Sequence, residues 1–143
     1  MTVKPIVFRA TALAALLLAG PAVSAELSYE QAKANADRDE AALSPAFSQR
    51  LSQSQGKAIG DVLSVCMFEI PHPGGHPDVT PFVVVMQLDA FGRIVRTWRQ
   101  GSTPLAVCFH REIGRKMLFA PPKAPFYTSI ELALTEKDAP GKH

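Results

Sequence analysis

The side chains ahead of the C-terminal tail best suited to chemistry are two cysteines, Cys66 and Cys108, and three histidines, His72, His76 and His110. His72 and His76 flank a Pro-Gly-Gly turn in the segment PHPGGHPDVTP (Pro71 to Pro81), where two imidazoles could share a metal ion. A zinc site needs further ligands held on oriented elements, and this loop offers no third ligand of an obvious spacing. The pair is therefore read as loop histidines, and no metal or cofactor is expected. His110 lies beside Arg111 and Glu112 in a helical segment. A lone helical histidine packs or faces solvent far more often than it acts as a general base. The chain has no Gly-x-Ser-x-Gly elbow, no His-Glu-x-x-His, no phosphate loop and no dinucleotide glycine pattern. No catalytic residue is assigned, and a metal-dependent enzyme ranks behind the binding and structural readings.

The cysteines point elsewhere. The chain opens MTVKPIVFRATALAALLLAGPAVSA: Lys4 and Arg9 precede an apolar run from Ala10 to Ala19, and Val23-Ser24-Ala25 supplies a small-x-small triplet. That is the pattern of a cleavable secretory signal over 1–25, since the apolar run is well short of the roughly 20 residues of a spanning helix. No stable membrane anchor is expected after cleavage, and the expected location is the periplasm. An even cysteine pair in an oxidising compartment is most simply a disulfide, and there is no CxxC spacing to suggest a redox couple. Closing a loop of about 43 residues would remove unfolded-state entropy worth roughly 4 kcal/mol.

Cleavage also changes the charge. The full chain carries 15 basic and 13 acidic residues, and the leader holds two basic and no acidic ones. The mature chain is therefore formally neutral, so the basic character of the precursor is no argument for nucleic acid. Glu30, Asp37, Asp39 and Glu40 make the N-terminal arm acidic, while Arg93, Arg96, Arg99, Arg111, Arg115 and Lys116 make the second half basic. Two solvated faces are the simpler reading of that split.

The elements that would position the cysteines follow from pattern. Pro81 to Arg99 reads as a hairpin with its turn at Asp89-Ala90-Phe91-Gly92, where Asp opens a type I turn and Gly accepts positive φ. Strict alternation would put Phe82, Val84, Met86 and Leu88 on one face with Ile94, Arg96 and Trp98, and Val83 and Val85 on the other. Ser28-Tyr29-Glu30-Gln31 is a capping box that opens a helix ending near Leu43, and its lack of large apolar groups predicts a solvated helix. Ser44-Pro45 starts a second helix whose stripe Phe47, Leu51, Ala58, Val62 and Cys66 would cover Val83 and Val85. Thr103-Pro104 starts a third helix over LAVCFHREIGRKML, with Leu105, Cys108, Phe109, Ile113 and Met117 inward. Trp98 and Phe109 are read as core aromatics rather than a ligand pocket. Pro121-Pro122 stop the helix, and Phe126 to Leu134 alternates as a closing strand. The expected fold is α+β: a small antiparallel sheet in β-β-α-β order with one packed helix, one or two helices before it, and one disulfide. The expected division is an N-terminal helical region at 26–64, an α+β domain at 65–135 and a flexible tail at 136–143.

The ordered features VVVMQLDAFGRIVRTW, the helix bearing LAVC, Phe119-Ala-Pro-Pro and the closing strand resemble the C-terminal periplasmic domain of TonB energy transducers. The likeness is to the cysteine-bearing variant at the C-termini of gliding-motility proteins of the AgmX/PglI type, with Cys66 and Cys108 at its cysteine positions. It spans about Val65 to Leu134. In place of that family's N-terminal membrane helix and Pro-rich spacer, this chain has a cleavable leader and an acidic helix. The resemblance implies a module that binds a protein partner in the cell envelope by pairing an exposed strand edge with an extended segment. The candidate edge is Tyr127 to Ala133, with Tyr127, Ser129 and Glu131 turned outward and wet. A structural protein that homodimerises through that edge is the alternative.

Overall fold

Hydroxyl caps set the three helices. The Ser28 side chain accepts the Gln31 N–H and the Gln31 side chain accepts the Ser28 N–H, a closed capping box that starts α1 (Tyr29–Ala41). Ser44 caps α2 (Pro45–Glu69) and Thr103 caps α3 (Pro104–Ile113), each with proline in the first turn, where its missing N–H costs nothing. The computed structural model describes residues 25–135; the leader assigned to 1–25, all but its last residue, and the tail at 136–143 lie outside the described residues. Among the described residues no helix is long and apolar enough to cross a membrane.

Three strands follow the expected order with α3 inserted: β1 (Phe82–Leu88), β2 (Ile94–Gln100) and, after α3, β3 (Phe126–Leu132). They form one antiparallel sheet ordered β2-β1-β3. The hairpin turn is tied by Asp89, whose carboxylate accepts the N–H groups of Phe91 and Arg93 at 2.8 and 3.0 Å. Gly92 sits at φ 85°, and a Cβ there would lie 2.4 Å from the Phe119 carbonyl oxygen, so both backbone conformation and space demand glycine. That close approach also seats the chain after α3, since Leu118 N–H donates to Gly92 O at 2.9 Å.

The fold is α+β with a helix layer on each sheet face, and three expectations about those faces need correction. Pairing runs Gln87 to Arg96 and then Leu88 to Ile94, so Val95 is an extra residue in a bulge. A one-residue insertion reverses every later side chain. Ile94 therefore shares a face with Leu88, as expected, but Arg96 and Trp98 lie with Gln87 and Val85 on the opposite one. Second, the cover over Val85 is α1, not α2. Ala32 and Ala36 are fully buried against Val85 and Tyr127, with Trp98, Leu27 and Tyr29 packed around them. Third, α1 is thus no solvated helix. Its small side chains let it lie close to the sheet, and the sheet supplies the aromatic bulk.

The larger core fills the other face. Val84, Met86, Phe126 and Ile130 pack against Ala58 and Val62 of α2 and Leu105, Phe109 and Ile113 of α3. Phe82 and Phe109 meet edge to face at 5.4 Å; burying side chains of this size contributes roughly 1.5–3 kcal/mol each. The Cys66–Cys108 disulfide joins α2 to α3, and Arg111 adds an ion pair to Glu69 at 2.6 Å. α3 ends at Ile113 with Gly114 as its C-cap, so Met117 is exposed rather than part of the helix stripe, and Leu118 goes inward in its place. The division at 64/65 falls inside α2, whose two halves share one core with the strands.

Candidate interaction edges of the sheet

β3 lies at a sheet edge, as its sequence suggested, but that edge is filled by side chains. Asp39 Oδ2 accepts the Tyr127 N–H at 3.0 Å, and Glu40 Oε1 accepts the Ser129 N–H at 2.8 Å. Gln55 reaches over from α2 and donates to Thr128 Oγ1 at 2.9 Å and to the Ser129 carbonyl at 3.1 Å. The buried Thr128 hydroxyl donates in turn to Glu40, which links the two helices through the strand edge. Asp39 is itself 1% exposed and is paired with Lys123 at 2.7 Å. Tyr127 is buried beneath α1, which corrects the expectation of a wet tyrosine, and Ser129 is half-buried. Glu131 alone of the three outward residues is exposed, and its carboxylate meets Lys33 at 3.2 Å. Lys33 also pairs with Asp37, and that hydrogen bond above all raises its pKa.

One sequence signal pointed to this arrangement. Carboxylates are disfavoured in the last turn of a helix, where the backbone dipole is negative. Asp39 and Glu40 occupy the last turn of α1, which calls for a tertiary partner to hold them there.

The opposite edge is different. Because Tyr127 and Ser129 direct their N–H groups away from β1, the alternation of the ladder leaves Thr97 and Arg99 of β2 with main-chain groups pointing outward. Toward the turn end of the same strand stand exposed apolar side chains: Phe91 at 69%, Val95 at 51% and Met117 at 58% exposure. Met117 is brought there by a bridge to Arg93 across the start of β2. Arg93 lies over the Phe91 ring at 5.8 Å, Arg96 lies over Trp98 at 5.8 Å and pairs with Glu26 at 2.8 Å, and Arg99 Nε donates to the Gly101 carbonyl at 2.7 Å.

His110 of α3 lies beside this edge. Its Nε2 is buried without a hydrogen-bond partner. Burial first, and the charge of Arg99 second, lower its pKa, while a hydrogen bond with the Thr97 backbone works the other way. Burial against β2 thus favours the neutral ring.

The loop histidines are both exposed, and a short 3-10 turn at Pro73–Gly75 separates them. Among the described residues no group of three or more His, Cys, Asp or Glu is placed to hold a metal ion. At the far end of the sheet Phe82, Gln100, Gly101 and Leu132 line an open, mainly apolar cleft of about 270 Å³. Comparison with family models, curated proteins and solved structures returned no match to this chain.

Proposed function

We propose that this is a protein-binding module of the cell envelope, exported to the periplasm by its leader and acting by recognition rather than catalysis, with the β2 edge as its working surface. The observation that carries this reading is a convergence. Outward N–H groups at Thr97 and Arg99, and the exposed Phe91, Val95 and Met117 toward the turn end of the same strand, share one edge of a three-stranded sheet. An extended segment laid there would gain main-chain hydrogen bonds and apolar contact together. The β-β-α-β order is also the pattern that resembles TonB C-terminal domains, and the disulfide suits an oxidising compartment. The edge expected from that resemblance was β3; its carboxylate and amide cover moves the proposal to β2 and disfavours homodimerisation through β3.

Site-directed photocrosslinking in the native envelope tests the assignment. A photoreactive side chain at Val95 should give an adduct that Thr97→Pro abolishes, since proline removes an outward N–H without touching the ladder to β1. Adducts confined to position 131 of β3, or to the exposed Phe68 on α2, contradict it.

A further inference from the structure

We propose that the segment received by the β2 edge is acidic, an extended strand in which carboxylates alternate with apolar side chains. This rests on β2 being the working edge. Arg93, Arg96 and Arg99 recur every third residue along an element whose side chains alternate, so they do not share one face. Arg96 stands with Trp98 on the α1 side, Arg99 lies on the α3 side, and Arg93 sits at the turn. A strand placed beside β2, at the usual spacing of roughly 4.8 Å, turns its own side chains alternately to both sides and meets a cation on each.

Nothing within the strand balances those charges. β2 reads IVRTWRQ, without an acidic residue. Among the described residues neither Arg93 nor Arg99 has an ion-pair partner. Arg96 has one, and its source is informative: Glu26 comes from the residues ahead of α1, not from the sheet. A carboxylate from outside the sheet is thus already the group one of these arginines selects. Phe91, Val95 and Met117, exposed at the Arg93 end of the edge, provide the apolar contacts.

Charge also argues against the most obvious competitor, a second copy of the chain. Pairing β2 with β2 about a twofold axis at Arg96, the register that sets Arg93 to Arg99 beside the same span, would place Arg96 against its own copy and Arg93 against Arg99, and like charges directly opposite one another in a sheet are destabilising. A basic or neutral segment would leave the arginines unbalanced.

The test uses the mature chain and three end-blocked octapeptides that alternate valine with glutamate, glutamine or lysine. Binding is followed by residue-resolved amide exchange. The glutamate peptide should protect the Thr97 and Arg99 amides, bind roughly tenfold or more tightly than the glutamine one, and weaken steeply from about 50 to about 300 mM salt; the lysine peptide should not bind. An Arg93→Gln/Arg99→Gln double variant, with unchanged circular dichroism, should lose most of the preference for glutamate. Equal protection by the glutamate and glutamine peptides overturns the acidic preference while the edge reading stands. Protection by the glutamate peptide elsewhere, such as at Glu131, overturns the edge reading itself. Failure of all three to bind overturns the acidic proposal and leaves the edge to the crosslinking result.

Discussion

The carboxylate of Asp39, 1% exposed, accepts the main-chain N–H of Tyr127 at 3.0 Å and so occupies a position that a neighbouring strand would otherwise take. A buried carboxylate is tolerated only with compensating bonds, and here Lys123 completes them. Asp39→Ala should therefore cost about 2–3 kcal/mol, because it orphans a buried N–H and leaves Lys123 unpaired. Asp39→Asn keeps an acceptor for Tyr127 and should cost less. Urea denaturation of the two variants measures the difference, and equal losses would mean that Asp39 acts through charge alone.

Reduction of Cys66–Cys108 should remove roughly 4 kcal/mol and lower Tm by more than about 10 °C. Cys66→Ala should reproduce the effect, because both act on the same α2 to α3 link. Calorimetry with and without reductant checks this. Equal melting of oxidised and reduced protein would place the stability of the helix layer wholly in its apolar packing.

Gly92→Ala should destabilise by at least roughly 1–3 kcal/mol from backbone strain alone. The added Cβ also meets two main-chain carbonyls, those of Leu118 and Phe119, neither of which can rotate aside as a side chain could. Chemical denaturation gives the number; a loss within a few tenths of a kcal/mol would contradict the turn geometry.

Stability should fall as pH drops from about 7 towards about 5, and His110 should account for the fall. Burial and the Arg99 charge lower its folded pKa below the unfolded value. Below the unfolded pKa the unfolded chain therefore binds a proton that the folded one resists, so stability is full above about 6.5 and declines on acidification. The shifted carboxyls of Glu30, Asp61, Asp78 and Glu112 are all shifted down and titrate below this window. Denaturant midpoints across the range, compared with those of His110→Gln, check the assignment. A slope unchanged in the variant would contradict it.

Local chemistry made much of the fold legible. Ser28, Ser44 and Thr103 mark their helix starts because capping is decided within four residues, and Asp89 with Gly92 marks the turn for the same reason. The cysteine pair followed from parity and from the oxidising compartment that the leader pattern led one to expect. What escaped was tertiary. The bulge at Val95 leaves no trace in the alternation of IVRTWRQ, yet it decides which side of the sheet carries Trp98. The burial of α1 was hidden because its contact surface is alanine, and helix patterns are usually judged by large apolar groups. The cover on β3 depends on residues 88 or 89 positions apart in sequence, a separation over which spacing says nothing.

The two sheet edges differ: Asp39 and Glu40 accept the outward N–H groups of β3, and β2 has no such carboxylate cover among the described residues. Amide exchange on the free protein measures this difference directly, residue by residue. Exchange should be slow at Tyr127 and Ser129, held by Asp39 and Glu40, and fast at Thr97 and Arg99. Fast exchange at Tyr127 and Ser129 together with protection at Thr97 and Arg99 would reverse the assignment of open and closed edges.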